Sequence, residues 1–479
     1  MEGNYNIFYT PEKQYPNMPH GEMCGDFMPF YWEGTYYLFY LYKYCVYVTK
    51  TKDFVTYEKP YLVLQNGSPD NQDWHIGTGS VFYDKKVFYF YYTGFCEGNN
   101  EENGKNEQVI MRATSMNLES WIKDERFFLK PDTDYYENRH WRDPHVIWNE
   151  EIGKYCMIIT AAKKGGARLR NGCTAVFVSD DVTNWEHYKT LYSPGTYITH
   201  ECHDAFKIGE WWYLSFSNYS RWWETRYRMA KSFDGTYLPP KRDDMFDGRQ
   251  LYAAKTVSDG KKHYLVGWQA VRKNCDDNEK CIWGGNALVH ELIQRKDGTL
   301  GVGMVQEIRD SFTIPLPMYF KSYHSGFAMK EESSGNRKLI GKAQDGFGWA
   351  SIGRLKETCL YEGTISWTSE TKTVGLMIHA SGEKLEQWVQ LRLEIEQNRM
   401  VIDNYKRMDK SQLYIEEKPV YFRENNARIK LLLSSTVILI YVDDVALASR
   451  CYDIELGELG VFVEYGEVIC EDMRLMEQL

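Results

Sequence analysis

The stretch His145–Thr160, HVIWNEEIGKYCMIIT, sets the architecture of this chain. A short apolar run passes through a turn at Ile152-Gly153 into a second apolar run of strand length, which reads as a β-hairpin. The pattern recurs at Phe27–Tyr40 (FMPFYWEGTYYLFY), Ser80–Gly94 (SVFYDKKVFYFYYTG), Asp204–Ser217 (DAFKIGEWWYLSFS) and Ala254–Trp268 (AKTVSDGKKHYLVGW). Aligned on their turns, the five runs are 51, 68, 56 and 51 residues apart. That spacing holds four short antiparallel strands with their loops, the size of one propeller blade. A second echo, TKDFVTY (Thr51–Tyr57), TSMNLESW (Thr114–Trp121), VSDDVTNW (Val178–Trp185) and KSFDGTYL (Lys231–Leu238), reads as the outer hairpins of four blades. The expected fold is therefore all-β, a five-bladed propeller over residues 1–312.

Proline-rich TIPLPM, with Pro315 and Pro317, reads as a linker over 313–324. Beyond it, runs such as TVGLMIHA and IKLLLSSTVILIYVDDVALASR predict a β-sandwich over 325–479, with no constellation of acids and an accessory role. A chain of 479 residues exceeds what one hydrophobic core serves, in keeping with two domains.

Three of the five runs follow an acid. Asp26 lies four residues before Phe30, Asp143 three before Val146, and Glu201 five before Phe206. In a propeller, residues just ahead of each innermost strand point at one mouth, so three acids distant in sequence can converge. Taken singly, Asp26 reads as a turn former, Asp143 as the partner of Arg142, and Glu201 as a strand-edge charge. Taken together they suit glycoside hydrolysis, in which one carboxylate attacks the anomeric carbon and another protonates the leaving oxygen. Trp74 and Trp268 stand where they can line the mouth.

Composition narrows the partner. A net charge of −10 argues against nucleic acid, and no apolar stretch is long enough to span a membrane. Aromatics at 15 % fit β-structure with sugar stacking added, so a small carbohydrate is the expected ligand. Residues 1–20 lack a basic start and an apolar centre, and the 11 cysteines are an odd number without regular spacing. Free thiols and a cytoplasmic location are expected. Within HECH (His200–His203), strand alternation puts His200 and Cys202 on one face and Glu201 and His203 on the other, which does not aim them at one metal. No metal or cofactor is expected.

The string HWRDPHVIWNEEIGKYCMIITA resembles the Arg-Asp-Pro region of glycoside hydrolase family 32, the invertases, inulinases and levanases. HECHDAFKIGEWWYLSFS is similar to its Glu-Cys-Pro region, and GDFMPFYWEGTYYLFYLY to its Asn-Asp-Pro-Asn-Gly segment. WHIGTGSVF, with Thr78, falls where that family has Ser-Gly-Ser, and LYAAKTV, with Tyr252, where it has Phe-Tyr-Ala. The resemblance runs in order along nearly the whole chain. It implies retaining cleavage of β-fructofuranosides with Asp26 as nucleophile, Glu201 as general acid/base and Asp143 as transition-state stabiliser. Arg142 would hold Asp143 ionised and tune Glu201, and Thr78, Tyr252, Trp74, Trp268 and His203 would contact sugar. A fructosyltransferase, an arabinan-type furanosidase and a non-catalytic sugar-binding propeller use the same features. Departures cluster around the acids: Gly25, Phe27, Met28, Leu41, His203 and Gln250 replace residues that mostly bind hydroxyls, which points to an altered sugar or linkage preference.

Overall fold

The structure is a computed structural model that describes residues 5–11, 23–100, 104–220, 223–331, 337–405, 415–452 and 455–478. Arg221 and Trp222, and most of the N-terminal stretch read for a targeting signal, lie outside the described residues. Backbone proximity divides the chain into two units. One comprises Asn4–Ala270 with Trp283–Leu300, the other Val271–Ile282 with Gly301–Leu479.

The first unit is built from five antiparallel sheets in chain order. Their first strands are Gly25–Trp32, His75–Asp84, Arg142–Asn149, Glu201–Ile208 and Leu251–Ser258. Each neighbours the next, and the fifth returns to the first, so they form the inner ring of a five-bladed propeller. Both faces of the blades are buried because adjacent sheets stack. Phe39, Val48, Phe90 and Met111 fill the space between blades 1 and 2. Trp141, Ile159 and Phe177 pack with Tyr91 and Ile110 between blades 2 and 3, and Ile158, Val176, Leu214 and Phe233 pack between blades 3 and 4. Each such side chain, fully buried, stabilises the fold by about 1.5–3 kcal/mol. The N-terminal segment latches the ring: the Asn6 amide donates to the Val55 carbonyl of blade 1, and Ala287 of blade 5 donates to Tyr9.

In the first three blades the second sequence echo is the turn of an outer hairpin, joining the third and fourth strands of the sheet. In three blades a hydroxyl and, two residues on, an Asp or Asn cap the same loop. Phe54 N donates to Thr51 Oγ1 and Thr56 N to Asp53 Oδ1; Leu118 N donates to Ser115 Oγ and Ser120 N to Asn117 Oδ1. Asp181 N donates to Ser179 Oγ and Asn184 N to Asp181 Oδ1. Short polar side chains compete for local amides in this way, which is why they recur in turns. The fourth blade's sheet has three strands, and Leu238 and Met245 reach its third strand through isolated bridges to Met229 and Arg226.

The second unit carries a 13-stranded sheet whose long strand Glu458–Gln478 pairs with Arg337–Arg354, Thr358–Trp367 and Thr373–Ala380. It folds as a β-sandwich around Leu376, Leu391, Leu431, Ile440 and Val461. The stretch read as a linker is instead part of this sheet. Phe312–Pro315 pairs with Glu458–Gln478, and Met318–Ser322 pairs with Arg337–Arg354. Prolines suit such short strands at a sheet edge, where a missing N–H costs nothing. The boundary accordingly falls near Gly301 rather than 312, and Val271–Ile282 groups with the second unit.

Candidate active site

All five inner strands break register at the same end. The shifts lie between Gly25 and Met28, Gly77 and Gly79, Arg142 and His145, Glu201 and Asp204, and Tyr252 and Lys255. A β-bulge re-aims side chains and bends its strand. Here four bulges hold a non-glycine residue at positive φ: Asp26 (49°), Asp143 (56°), Cys202 (50°) and Ala253 (50°). Such backbone is uncommon for residues with a Cβ and persists only where the surroundings enforce it. Asp26 and Asp143 occupy the bulge itself, whereas Glu201 precedes its bulge by one residue.

Asp26 keeps partial contact with solvent and pairs with no cation among the described residues. Thr78 Oγ1 donates to its Oδ2 (2.8 Å) and Trp268 Nε1 to its Oδ1 (2.9 Å). Burial raises its pKa to about 6 against the lowering effect of those two donors, and the charges of Asp143 and Glu201 add to the rise.

Glu201 is held on both oxygens. Arg142 donates to Oε1 through Nε (3.2 Å) and Nη2 (2.6 Å), and the Tyr252 hydroxyl donates to Oε2. The other guanidinium nitrogen, Nη1, donates to Gln108 Oε1 (3.3 Å) and to His140 Nδ1 (3.0 Å). Burial and neighbouring guanidinium groups push His140 down to about 3, so its ring is neutral and accepts from Arg142. Arg142 thus points at Glu201 and approaches Asp143 only to 3.7 Å. The primary partner expected for Arg142 was Asp143; the bulge at Asp143 turns that carboxylate inward instead.

Asp143 is fully enclosed. Its Oδ2 accepts from the Cys202 amide (2.9 Å) and from Thr160 Oγ1 (3.1 Å). Burial raises its pKa, and Arg142 opposes that rise.

Thr78, Arg142, Tyr252 and Trp268 therefore gather around the three acids as expected. His203 does not. Its ring is buried, with Nε2 against Thr174 Oγ1 (2.7 Å) and Nδ1 against Thr160 Oγ1 (3.2 Å). The bulge at Cys202 interrupts the alternation that would have put His203 beside Glu201. His203 supports Thr160, which in turn bonds Asp143. Trp74 packs on His75 (4.6 Å between centroids), whose ring stacks on Tyr44 (3.9 Å), in a row of its own.

Sequence reading missed His140, Gln108 and Trp283. Trp283 lies 6.1 Å from Trp268, is 42 % exposed, and crowds Gly25, where an added Cβ would come within 2.9 Å of its ring. The absence of a side chain at Gly25 thus leaves the space that the Trp283 ring fills. Trp223 completes the aromatic wall, 5.8 Å from Tyr252 and 5.6 Å from Trp268. The other departures near Asp26 face the core: Phe27 packs against Tyr40 (5.6 Å), Met28 accepts the Gly79 amide on sulfur (3.0 Å), and Leu41 is buried. Among the described residues no group of three or more side chains is arranged to hold a metal ion.

Three carboxylates at one mouth, each gripped by donors and backed by an aromatic wall, are the working parts of an enzyme that cleaves glycosidic bonds. Residues 8–300 match the family described as glycosyl hydrolases family 32 N-terminal domain. The chain belongs to that family and is a glycoside hydrolase. It is 22 % identical over 483 residues to the levanbiose-producing levanase of Bacillus subtilis (strain 168), covering 91 % of this chain and 83 % of that protein. The exo-inulinase of Aspergillus awamori has a similar fold at 14 % identity, with a TM-score of 0.72 over 96 % of this chain and 97 % of that one. So has the sucrose-6-phosphate hydrolase of Lactobacillus gasseri, at 13 % identity and a TM-score of 0.70 over 98 % of this chain and 99 % of that one.

Proposed function

We propose that the chain is a retaining β-fructofuranosidase acting on fructo-oligosaccharides. The observation that carries this reading is the division of labour among the three acids, together with membership of the family and similarity to a levanase. Asp26, free of cations, attacks the anomeric carbon of the fructosyl unit. As that bond forms, the bond to the leaving oxygen breaks, and Glu201 delivers its proton to that oxygen. Arg142 occupies Oε1, so Oε2 beside Tyr252 is the oxygen that carries the proton. In the second step Glu201 takes a proton from water, whose oxygen displaces Asp26. Asp143, fixed by Cys202 N and Thr160, binds ring hydroxyls as positive charge builds on the sugar.

The test is a substrate panel of sucrose, kestose, inulin- and levan-type oligosaccharides and arabino-oligosaccharides, with products separated by chromatography. Fructose units should be released with their anomeric configuration retained. Cleavage of arabino-oligosaccharides alone, or transfer without hydrolysis, would replace this reading with another; no turnover would leave a sugar-binding propeller.

A second expectation concerns pH. Asp26 must be ionised to attack, so kcat/KM should fall on the acid side with an apparent pKa near 6. Trp268→Phe keeps the ring packing but removes a donor to the carboxylate. The acid limb should then move upward by about one pH unit, the scale of a hydrogen bond to a charged group. An unmoved limb would show that another group sets it.

A further inference from the structure

Lys255 stands at 2 % exposure in the inner strand of blade 5, directly after the bulge that holds Ala253 at positive φ. Lysines are almost never buried this far unless they are paired. Among the described residues this one has no ion pair, and the carboxylates that feel its charge, Asp143 and Asp204, lie beyond ion-pair distance. Its ammonium makes a single hydrogen bond, a 2.7 Å donation to the backbone carbonyl of His203 on blade 4. Burying an ammonium for one carbonyl is costly in a place where a neutral side chain would pack. Two neighbouring bonds between these blades frame the contact. Ala253 N donates to Ser217 Oγ (2.9 Å), and Thr256 N donates to Asp204 Oδ2. Both end on side chains of blade 4. Of the three bonds, only that of Lys255 ends on backbone, and it does so inside the bulge between Glu201 and Asp204.

That stretch of backbone carries Asp143. Cys202, the residue before His203, sits at φ 50° and donates its amide to Asp143 Oδ2 (2.9 Å). The His203 ring meets Thr160 Oγ1 (3.2 Å), which donates to the same carboxylate oxygen (3.1 Å). Peptide planes are rigid, so only the backbone dihedrals of Cys202 and His203 lie between the carbonyl that Lys255 holds and the amide that holds Asp143. Cys202 occupies a conformation that persists only under constraint, and a bond at each end of this short path supplies it. The charge of Lys255 acts in the same sense as the bond. Burial raises the Asp143 pKa, and the charges of Arg142 and Lys255 oppose that rise.

We infer that Lys255 is a positioning residue for the reaction: by holding the His203 carbonyl it fixes the bulge of blade 4, and through the Cys202 amide it fixes the Asp143 carboxylate against the sugar. This rests on the reading of Asp143 as the group that binds ring hydroxyls while positive charge builds. Lys255→Met keeps the length and apolar stem of the side chain and removes the donor. In the full-length chain it should lower kcat about tenfold or more, within what one charge-assisted hydrogen bond is worth, and leave KM within about threefold. In an Asp143→Asn background the same substitution should cost less than about threefold, because the group it positions is already disabled. General damage to the fold would instead multiply the two losses. Should the Met variant not fold, Lys255→Ser, too short to reach the carbonyl, replaces it in each comparison. A crystal structure of the same variant supplies a readout that needs no turnover: the Cys202 amide should leave hydrogen-bond reach of Asp143. An unchanged bulge, or losses that multiply, would overturn the inference. A relaxed bulge in the variant, with no turnover of any fructoside by the native chain, would instead overturn the hydrolase reading and leave the role of Lys255 intact.

Discussion

Replacing Asp26 by Asn is expected to lower turnover at least about 10³-fold while making the fold more stable at neutral pH. The loss follows because an amide cannot form the glycosyl ester. The gain follows from the proton balance. In the folded chain the Asp26 carboxyl binds its proton with a pKa of about 6, against an ordinary value of 3.8. The folded state therefore holds that proton more tightly than the unfolded state does. Ionised Asp26 costs stability on the order of 2–3 kcal/mol above pH 6. The cost shrinks as pH falls from 6 towards 3.8 and vanishes below that. Asn carries no such cost. Its two ends can keep both existing partners, the oxygen accepting from Trp268 and the amide donating to Thr78 Oγ1. Calorimetric unfolding of the two proteins across this pH range checks the claim. A higher midpoint for Asn at neutral pH that merges with the wild type in acid is the expected result. Equal midpoints throughout would mean that Asp26 is not held in a costly ionised state.

The site that carries this cost was only partly legible in the sequence. The five hairpins announce themselves locally, through runs such as Tyr36–Tyr40 and turns such as Glu33-Gly34, because apolar strands and turn residues need only their neighbours to be read. Asp26, Asp143 and Glu201 were legible because they precede those runs. The bulges were not. Nothing in Arg142-Asp143-Pro144 announces that Asp143 adopts φ 56° and turns towards Thr160 and the Cys202 amide. Positive φ is ordinarily a glycine signal, and here it is imposed by pairing with the second strand. His203 went astray for the same reason: alternation predicts its face only while register holds. Gln108, His140 and Trp283 come from other strands and loops, and what brings them to the acids is the closure of the ring. Only Gly25 carried a trace of Trp283, as an absent side chain whose space an aromatic ring fills.

Replacing Glu201 by Gln should be nearly as damaging for natural substrates, with a loss on the order of 10³-fold, yet selective in a way that Asp26→Asn is not. Gln keeps the frame. Its carbonyl can still accept from Arg142, and its amide can donate to the Tyr252 hydroxyl, so the guanidinium retains Gln108, His140 and a partner on blade 4. Ala at this position would leave Arg142 buried beside Asp143 alone, and its effects would mix structure with chemistry. What Gln cannot do is release a proton to the departing oxygen. The deficit should therefore depend on how much the leaving group needs one. With a sucrose-type glucosyl leaving group the full loss should appear. With fructosyl fluoride, whose leaving group departs as an anion, formation of the fructosyl-enzyme should lose less than about tenfold, because only proton donation has been removed. Comparing the two substrates by single-turnover kinetics separates this role from a merely structural one. Equal losses with both leaving groups would remove Glu201 as the proton donor and leave Arg142 and Tyr252 bracing a carboxylate of another purpose.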